Sequence, residues 1–197
     1  MDIGILALQG GVVEHEKLLK KAGANPVEVR LPHQLQGLSG LIIPGGESTT
    51  IGKLVVRFGL LEPLREFAAK KPVWGTCAGM IFLAKDIGMD QPLLGVMNIV
   101  VERNAFGRQL ESFTTSLNVE VIERGAAEPF PAVFIRAPKL ISAHGDAKII
   151  ATLPDGTPVA VRENRWLATA FHPELTDDDR FHRYFLDIVV STGDIGS

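Results

Sequence analysis

The run Lys71-Pro72-Val73-Trp74-Gly75-Thr76-Cys77-Ala78-Gly79-Met80-Ile81-Phe82-Leu83 constrains this chain more than any other stretch. A short apolar segment enters a Gly-x-Cys-x-Gly turn, and an apolar, helix-compatible segment leaves it at once. That is the layout of a nucleophile elbow, with cysteine where hydrolases place serine. Gly75 and Gly79 carry no Cβ, so strand and helix can pack closely around a sharp, strained turn. Cys77 then stands at a helix N-terminus, where the positive end of the dipole favours a thiolate. The structural alternative is a small buried cysteine. It leaves the two flanking glycines without a reason.

Apolar runs and helical spacings alternate through the first half. Strands are expected over 3–8, 26–30, 40–43 and 73–75, and helices over 12–22, from the Gly-rich loop to about Phe58, and over 61–69. Such alternation implies right-handed crossovers and an α/β fold, a doubly wound, mostly parallel central sheet flanked by helices. After Ile87 the texture changes to short strands over 96–102, 117–122, 133–135, 139–143, 149–153, 159–162 and 166–171. Asp155-Gly156 and Glu163-Asn164 mark turns between them. The second half therefore reads as an antiparallel extension of the sheet. A helix over 182–190 closes the chain, and 191–197 reads as a frayed tail. The expectation is one domain over 1–197, since that length supports one full-sized core.

The bulk numbers exclude several function classes. Lysine plus arginine total 20 and aspartate plus glutamate 23, a net charge of −3, with no long basic run. Nucleic acid is thus a poor partner. Cys77 is the sole cysteine, which rules out an internal disulfide and a thiolate metal cluster. No apolar run reaches membrane-spanning length, and the N-terminus lacks the features of a signal peptide. A cytoplasmic, soluble protein is expected, with no membrane partner.

A cysteine nucleophile needs a base. His172 follows an apolar strand in Phe171-His172-Pro173-Glu174, and residues i and i+2 of an extended segment point to one side. Glu174 can then hold one ring nitrogen of His172 while the other faces Cys77. His144, in Ser142-Ala143-His144-Gly145-Asp146, has the same spacing and is a rival base. His15 lies on the apolar face of a helix and reads as a packed side chain; His33 and His182 sit in polar surroundings and read as solvated. Backbone N–H groups of Ala78 and Gly46 are candidate oxyanion donors. The loop Pro44-Gly45-Gly46-Glu47-Ser48-Thr49 lacks the Gly-Lys-Ser/Thr ending of a P-loop, and Glu47 repels phosphate.

These residues together resemble the class I (triad) glutamine amidotransferases. Further stretches are similar to one family within them, the glutaminase subunits of pyridoxal 5′-phosphate synthase. They are Leu8-Gln9-Gly10-Gly11-Val12-Val13-Glu14-His15, Pro44-Gly45-Gly46-Glu47-Ser48-Thr49-Thr50, Val101-Glu102-Arg103-Asn104-Ala105-Phe106-Gly107-Arg108-Gln109, Glu111-Ser112-Phe113, Phe134-Ile135-Arg136-Ala137-Pro138 and Phe171-His172-Pro173-Glu174-Leu175-Thr176. The resemblance implies a flavodoxin-like glutaminase fold and a Cys77, His172, Glu174 triad. It also implies oxyanion donors at Gly46 and Ala78, and L-glutamine held by Gly46, Glu47, Ser48, Arg103, Ile135 and Arg136. It implies no cofactor and no metal. The implied partner is the (β/α)₈-barrel synthase subunit of a hetero-oligomer, which receives the ammonia. Two readings compete with it: a glutaminase subunit serving another pathway, such as imidazole glycerol phosphate synthase, and a non-catalytic subunit that binds a small metabolite. A redox-sensing elbow cysteine is a third.

Overall fold

The computed structural model describes residues 1–103 and 112–193. In chain order the elements are β1 (Asp2–Leu6), α1 (Val12–Lys21), β2 (Asn25–Val29), β3 (Gly40–Ile43), α2 (Ser48–Arg57), α3 (Leu61–Lys70), β4 (Val73–Thr76), α4 (Ala78–Leu83), β5 (Ala84–Asp86), β6 (Met97–Glu102), β7 (Ser112–Leu117), β8 (Phe130–Ile135), β9 (Lys139–Ala143), β10 (Lys148–Thr152), β11 (Pro158–Glu163), β12 (Trp166–Thr169) and α5 (Arg180–Gly193). Seven strands form one sheet in the order β10-β11-β12-β4-β3-β1-β2. From β12 to β2 neighbouring strands run parallel, whereas β10 and β11 add antiparallel at the far edge.

Strands β3 and β4 are buried along their whole length, as near-continuous apolar runs covered on both faces should be. Their side chains belong to one buried cluster that also takes in Phe130, Phe171, Phe181 and Phe185. Strand order reverses at β1, between β2 and β3. Ligands of open α/β sheets bind beyond the carboxyl ends of the strands at such a reversal. The loops after β1, β3, β4 and β12 all open there.

The antiparallel half differs from its expectation in two ways. Of its strands, β10, β11 and β12 join the main sheet, β12 running parallel to β4, while β5-β6-β9 and β7-β8 form two small separate sheets. The Asp155-Gly156 turn makes the extension possible, with Asp155 Oδ1 accepting the Thr157 N–H at 2.9 Å and Gly156 at φ +85°. The strand expected over 117–122 is absent. Strand β7 ends at Leu117, and Val119 and Ile122 are buried through local turns in which Val119 O accepts from Ile122 and Ile122 O from Gly125.

Helix α5 begins at Arg180, two residues earlier than its apolar spacing indicates. Arg180 fixes that start by donating to Asp178 and to the carbonyls of Glu128 and Pro129. Ser191 to Gly193 continue the helix instead of fraying, the Ser191 and Thr192 hydroxyls donating to Ile188 O at 3.0 and 2.7 Å. Residues 194–197 lie outside the described residues, as do Asn104 to Gln109 and Glu111 of the motif stretches. No helix among the described residues is long and apolar enough to cross a membrane.

Candidate active site

Cys77 occupies the turn between β4 and α4 with φ 51° and ψ −107°, a conformation that costs a non-glycine residue about 1–3 kcal/mol. The surroundings hold it there. Its N–H donates to Thr169 O at 2.8 Å, tying the elbow to the end of β12. A Cβ at Gly75 would lie 2.3 Å from Gly79 O, and one at Gly79 2.1 Å from Ile43 O, so both glycines are dictated by close backbone approach. The Sγ lies 3.8 Å from Ile135 O.

His172 arrives from the neighbouring strand. The parallel register pairs Thr169 with Thr76, which sets the residues following β12 beside the elbow following β4. The His172 N–H donates to Val133 O at 2.8 Å. Its Nδ1 lies 2.7 Å from Glu174 Oε1. The i, i+2 pairing is as expected, but its backbone is not extended: Pro173–Leu175 is a 3₁₀ turn, and the proline starts it. Gly45 fills the gap between ring and elbow, since a Cβ there would sit 2.5 Å from His172 Cε1 and 3.2 Å from Cys77 Cβ. Burial pulls the His172 pKa down. Hydrogen bonds and charge from Cys77 and Glu174 outweigh it and raise it from 6.5 to about 10. The imidazole is thus poised as an imidazolium beside the sulfur.

A cavity of about 230 Å³ opens over the sulfur. Of the sequence-predicted residues, Cys77, His172, Gly46, Ala78, Glu47, Ser48, Arg103, Ile135 and Arg136 all line it. Glu174 stands behind His172, only 4% exposed. Ile81 also lines the cavity, an apolar contact that the sequence did not single out. The N–H of Ala78 opens α4 and so has no partner within the helix.

Glu47 and Arg103 face one another across the mouth, Arg103 Nη2 lying 3.0 Å from Glu47 Oε1. Glu47 also caps α2, accepting from the Thr49 and Thr50 N–H groups at 3.0 and 2.7 Å. The Thr50 hydroxyl bond leads the effects that lower the Glu47 pKa to about 2, with burial opposing and the backbone bonds adding. Gln9 Oε1 accepts the Glu47 N–H at 2.8 Å and so fixes the loop after β3. The Ser48 hydroxyl is buried in the wall with no hydrogen-bond partner among the described residues.

The other histidines separate cleanly. His144 is exposed on the three-stranded sheet, its ring on Ser142 Oγ at 2.9 Å, and it does not line the cavity. His33 is exposed, as expected. His182 is not solvated: it is fully buried, with its ring centroid 5.0 Å from that of Trp74 in an edge-on contact. A neutral imidazole packs like any aromatic ring, and of the polar residues just before it only Asp177 is exposed; Asp179 and Arg180 are themselves buried, paired with Arg183 and Asp178. Its partner is His15, buried as expected, whose Nδ1 lies 2.9 Å from His182 Nε2.

The family model of the SNO glutamine amidotransferase family matches residues 5–191. The chain is 55% identical over 193 residues to the pyridoxal 5′-phosphate synthase subunit PdxT of Herpetosiphon aurantiacus, covering 95% of this chain and 100% of that one. It is 55% identical over 191 residues to the subunit of the same name from Moorella thermoacetica, covering 96% and 100%. A crystal structure of a glutamine amidotransferase, 47% identical, matches with a TM-score of 0.88 over 95% of this chain and 98% of that one. The structure of PurLQS from Thermotoga maritima, 14% identical, shares the fold alone, with a TM-score of 0.68 over 96% and 97% of the two chains.

Proposed function

Because the chain belongs to the SNO glutamine amidotransferase family, we propose that its cavity hydrolyses L-glutamine to glutamate and ammonia, as the glutaminase subunit of pyridoxal 5′-phosphate synthase. The observation that carries this reading is the Glu174–His172 pair at 2.7 Å, set against Cys77 in the cavity wall. The Cys77 thiolate attacks the side-chain amide carbon. Charge on the carbonyl oxygen is met by the N–H groups of Ala78 and Gly46, each such donor being worth roughly 10²–10³ in rate. The His172 imidazolium gives its proton to the departing ammonia, and a γ-glutamyl thioester remains. His172, neutral again, takes a proton from water, which attacks the thioester; glutamate leaves and the thiolate–imidazolium pair is restored.

Substrate recognition follows from charge. A free amino acid carries an ammonium and a carboxylate on one carbon, and the Glu47–Arg103 pair offers the complementary two signs side by side. The α-ammonium goes to Glu47 and the α-carboxylate to the Arg103 fork. Arg136, Ile135 and the unpartnered Ser48 hydroxyl complete the grip. The whole chain, 1–197, works as a single amidotransferase domain in the cytoplasm, where the lone thiol stays reduced. Its partner is the (β/α)₈-barrel synthase subunit, in a hetero-oligomer that consumes the ammonia.

The test is glutamate release from L-glutamine by wild type and Cys77→Ala, with and without the barrel subunit. Release that rises with the partner and vanishes in Cys77→Ala is expected. Release indifferent to the partner overturns the synthase assignment, and no release in either condition overturns the glutaminase reading.

A further inference from the structure

His15 on α1 and His182 on α5 lie behind Glu174 and take no part in the steps above. Both are fully buried. His15 Nε2 faces Glu174 Oε2 at 3.5 Å and Thr76 Oγ1 at 3.4 Å, while its Nδ1 meets His182 Nε2 at 2.9 Å. Glu174 therefore has two differently placed oxygens: Oε1 holds His172 Nδ1, and Oε2 is buried with no hydrogen-bond partner among the described residues. His182 Nδ1 has none either.

These contacts select one pair of tautomers. A neutral imidazole has one N–H, so a ring-to-ring bond needs one donor and one acceptor. If His15 donated from Nδ1, its Nε2 lone pair would face the Glu174 carboxylate, and His182 would bury an N–H at Nδ1 with nothing to accept it. In the reverse arrangement His182 Nε2–H donates to His15 Nδ1, and His15 Nε2–H points at Glu174 Oε2. Only a ring lone pair is then left unpaired, and buried orphan donors are the rarer defect. Closing the gap by about half an ångström gives a normal N–H···O length.

We infer that His15 is a positioning residue, its Nε2–H aligning the Glu174 carboxylate on His172 while His182 fixes the His15 tautomer; the inference rests on the triad reading above. A carboxylate held at one oxygen can turn, and each turn weakens the bond that stabilises the imidazolium. His15 does this only while neutral, since a cation there would compete with His172 for Glu174. Its surroundings enforce that state. Burial first, then His182 and His172, pushes the His15 pKa well below 6.5. Burial, opposed by Asp179, lowers that of His182 to about 3. The groups facing the pair are Glu174 and His172 after β12, Thr76 and Trp74 on β4, and Asp179 before α5. Asp179 is itself shared with Arg183 at 2.9 Å and Lys21 at 3.8 Å.

The test compares wild type, His15→Leu and His15→Gln as full-length protein in complex with the barrel subunit. It reads kcat and KM for glutamate release and the pH profile of Cys77 alkylation by iodoacetamide, with urea midpoints alongside. Because Cys77 is the sole cysteine of this chain, alkylation read by mass on this chain reports the sulfur–imidazole pair directly. His15→Leu should lower kcat about tenfold, the low end of what losing the partner behind a functional side chain costs at metal sites. KM should stay within about twofold of wild type, and the alkylation profile should move to higher pH by about one unit. His15→Gln, whose amide N–H reaches the Nε2 position, should recover most of both. A wild-type kcat and profile in His15→Leu overturn the inference. So does an equal loss in both variants with an unmoved profile. If His15→Leu does not fold, His182→Phe carries the test: without Nε2–H to hold the His15 tautomer the profile must shift the same way, and an unmoved one refutes the alignment. A wild type that releases no glutamate, with the shift still present in His15→Leu, would refute the glutaminase reading and support the alignment.

Discussion

Acid should unfold this protein through its two buried imidazoles before its carboxylates are titrated. His15 and His182 have folded-state pKa values below the usual 6.5, that of His182 being about 3. Below pH 6.5 the unfolded chain binds protons that the folded chain refuses. The stability these groups contribute is therefore complete above about 6.5 and is lost as pH falls toward the folded values. His172 acts oppositely: raised to about 10, its contribution is complete below 6.5 and is lost only as pH rises through 10, so it is flat over this window. Each refused proton is worth about 1.4 kcal/mol per pH unit, so His182 alone removes roughly 2–3 kcal/mol between pH 6.5 and 4.5, and His15 adds to it in the same direction. Against a typical domain stability of roughly 5–15 kcal/mol that is a large share. Urea unfolding followed by tryptophan fluorescence at half-unit steps measures it. His182→Gln removes one of the two rings and should flatten the slope by the His182 share. Carboxylates add their own slope at the acid end, equally in both proteins. A wild-type slope no steeper than that of His182→Gln from pH 6.5 to 4.5 would refute the reasoning.

Two substitutions probe the elbow and the choice of base. Gly79→Ala places a Cβ 2.1 Å from Ile43 O, a backbone atom that cannot step aside. It should cost about 2–3 kcal/mol in a urea midpoint and lower glutamate release with it. His144→Ala removes an exposed ring bonded only to Ser142 among the described residues. It should leave glutamate release within about twofold of wild type, as surface changes do, and a tenfold loss would restore His144 as the base.

The sheet and the elbow were legible because they are written locally. Apolar runs of four or five residues between turn signals gave β1, β3 and β4, and the Gly-x-Cys-x-Gly spacing can serve little else. The His172–Glu174 partnership was legible too, though for an imperfect reason, since a 3₁₀ turn begun by Pro173 and not an extended strand brings the two together. What stayed hidden depends on contacts far apart in sequence. His182 follows Asp177, Asp178, Asp179 and Arg180, and such neighbours suggest solvent. Its burial is decided by Trp74 and His15, on other elements. The Glu47–Arg103 pair joins α2 to the end of β6, so their mutual contact has no local signature. The stretch over 117–122 misled because Val119 and Ile122 are apolar for burial, while their backbones bond within turns.

The register between β4 and β12 also fixes when, during synthesis, the thiol becomes dangerous. Cys77 leaves the ribosome long before β12 does. Until Trp166 to Thr169 pair with Val73 to Thr76, β4 is an edge strand with an open row of backbone groups. Trp74, whose indole N–H ends on Thr169 Oγ1 at 3.2 Å, has no acceptor there either. The same event closes that edge and brings His172 beside the sulfur. On the triad reading proposed above, a nascent or half-folded chain carries an unarmed cysteine, and completion of the sheet switches the chemistry on.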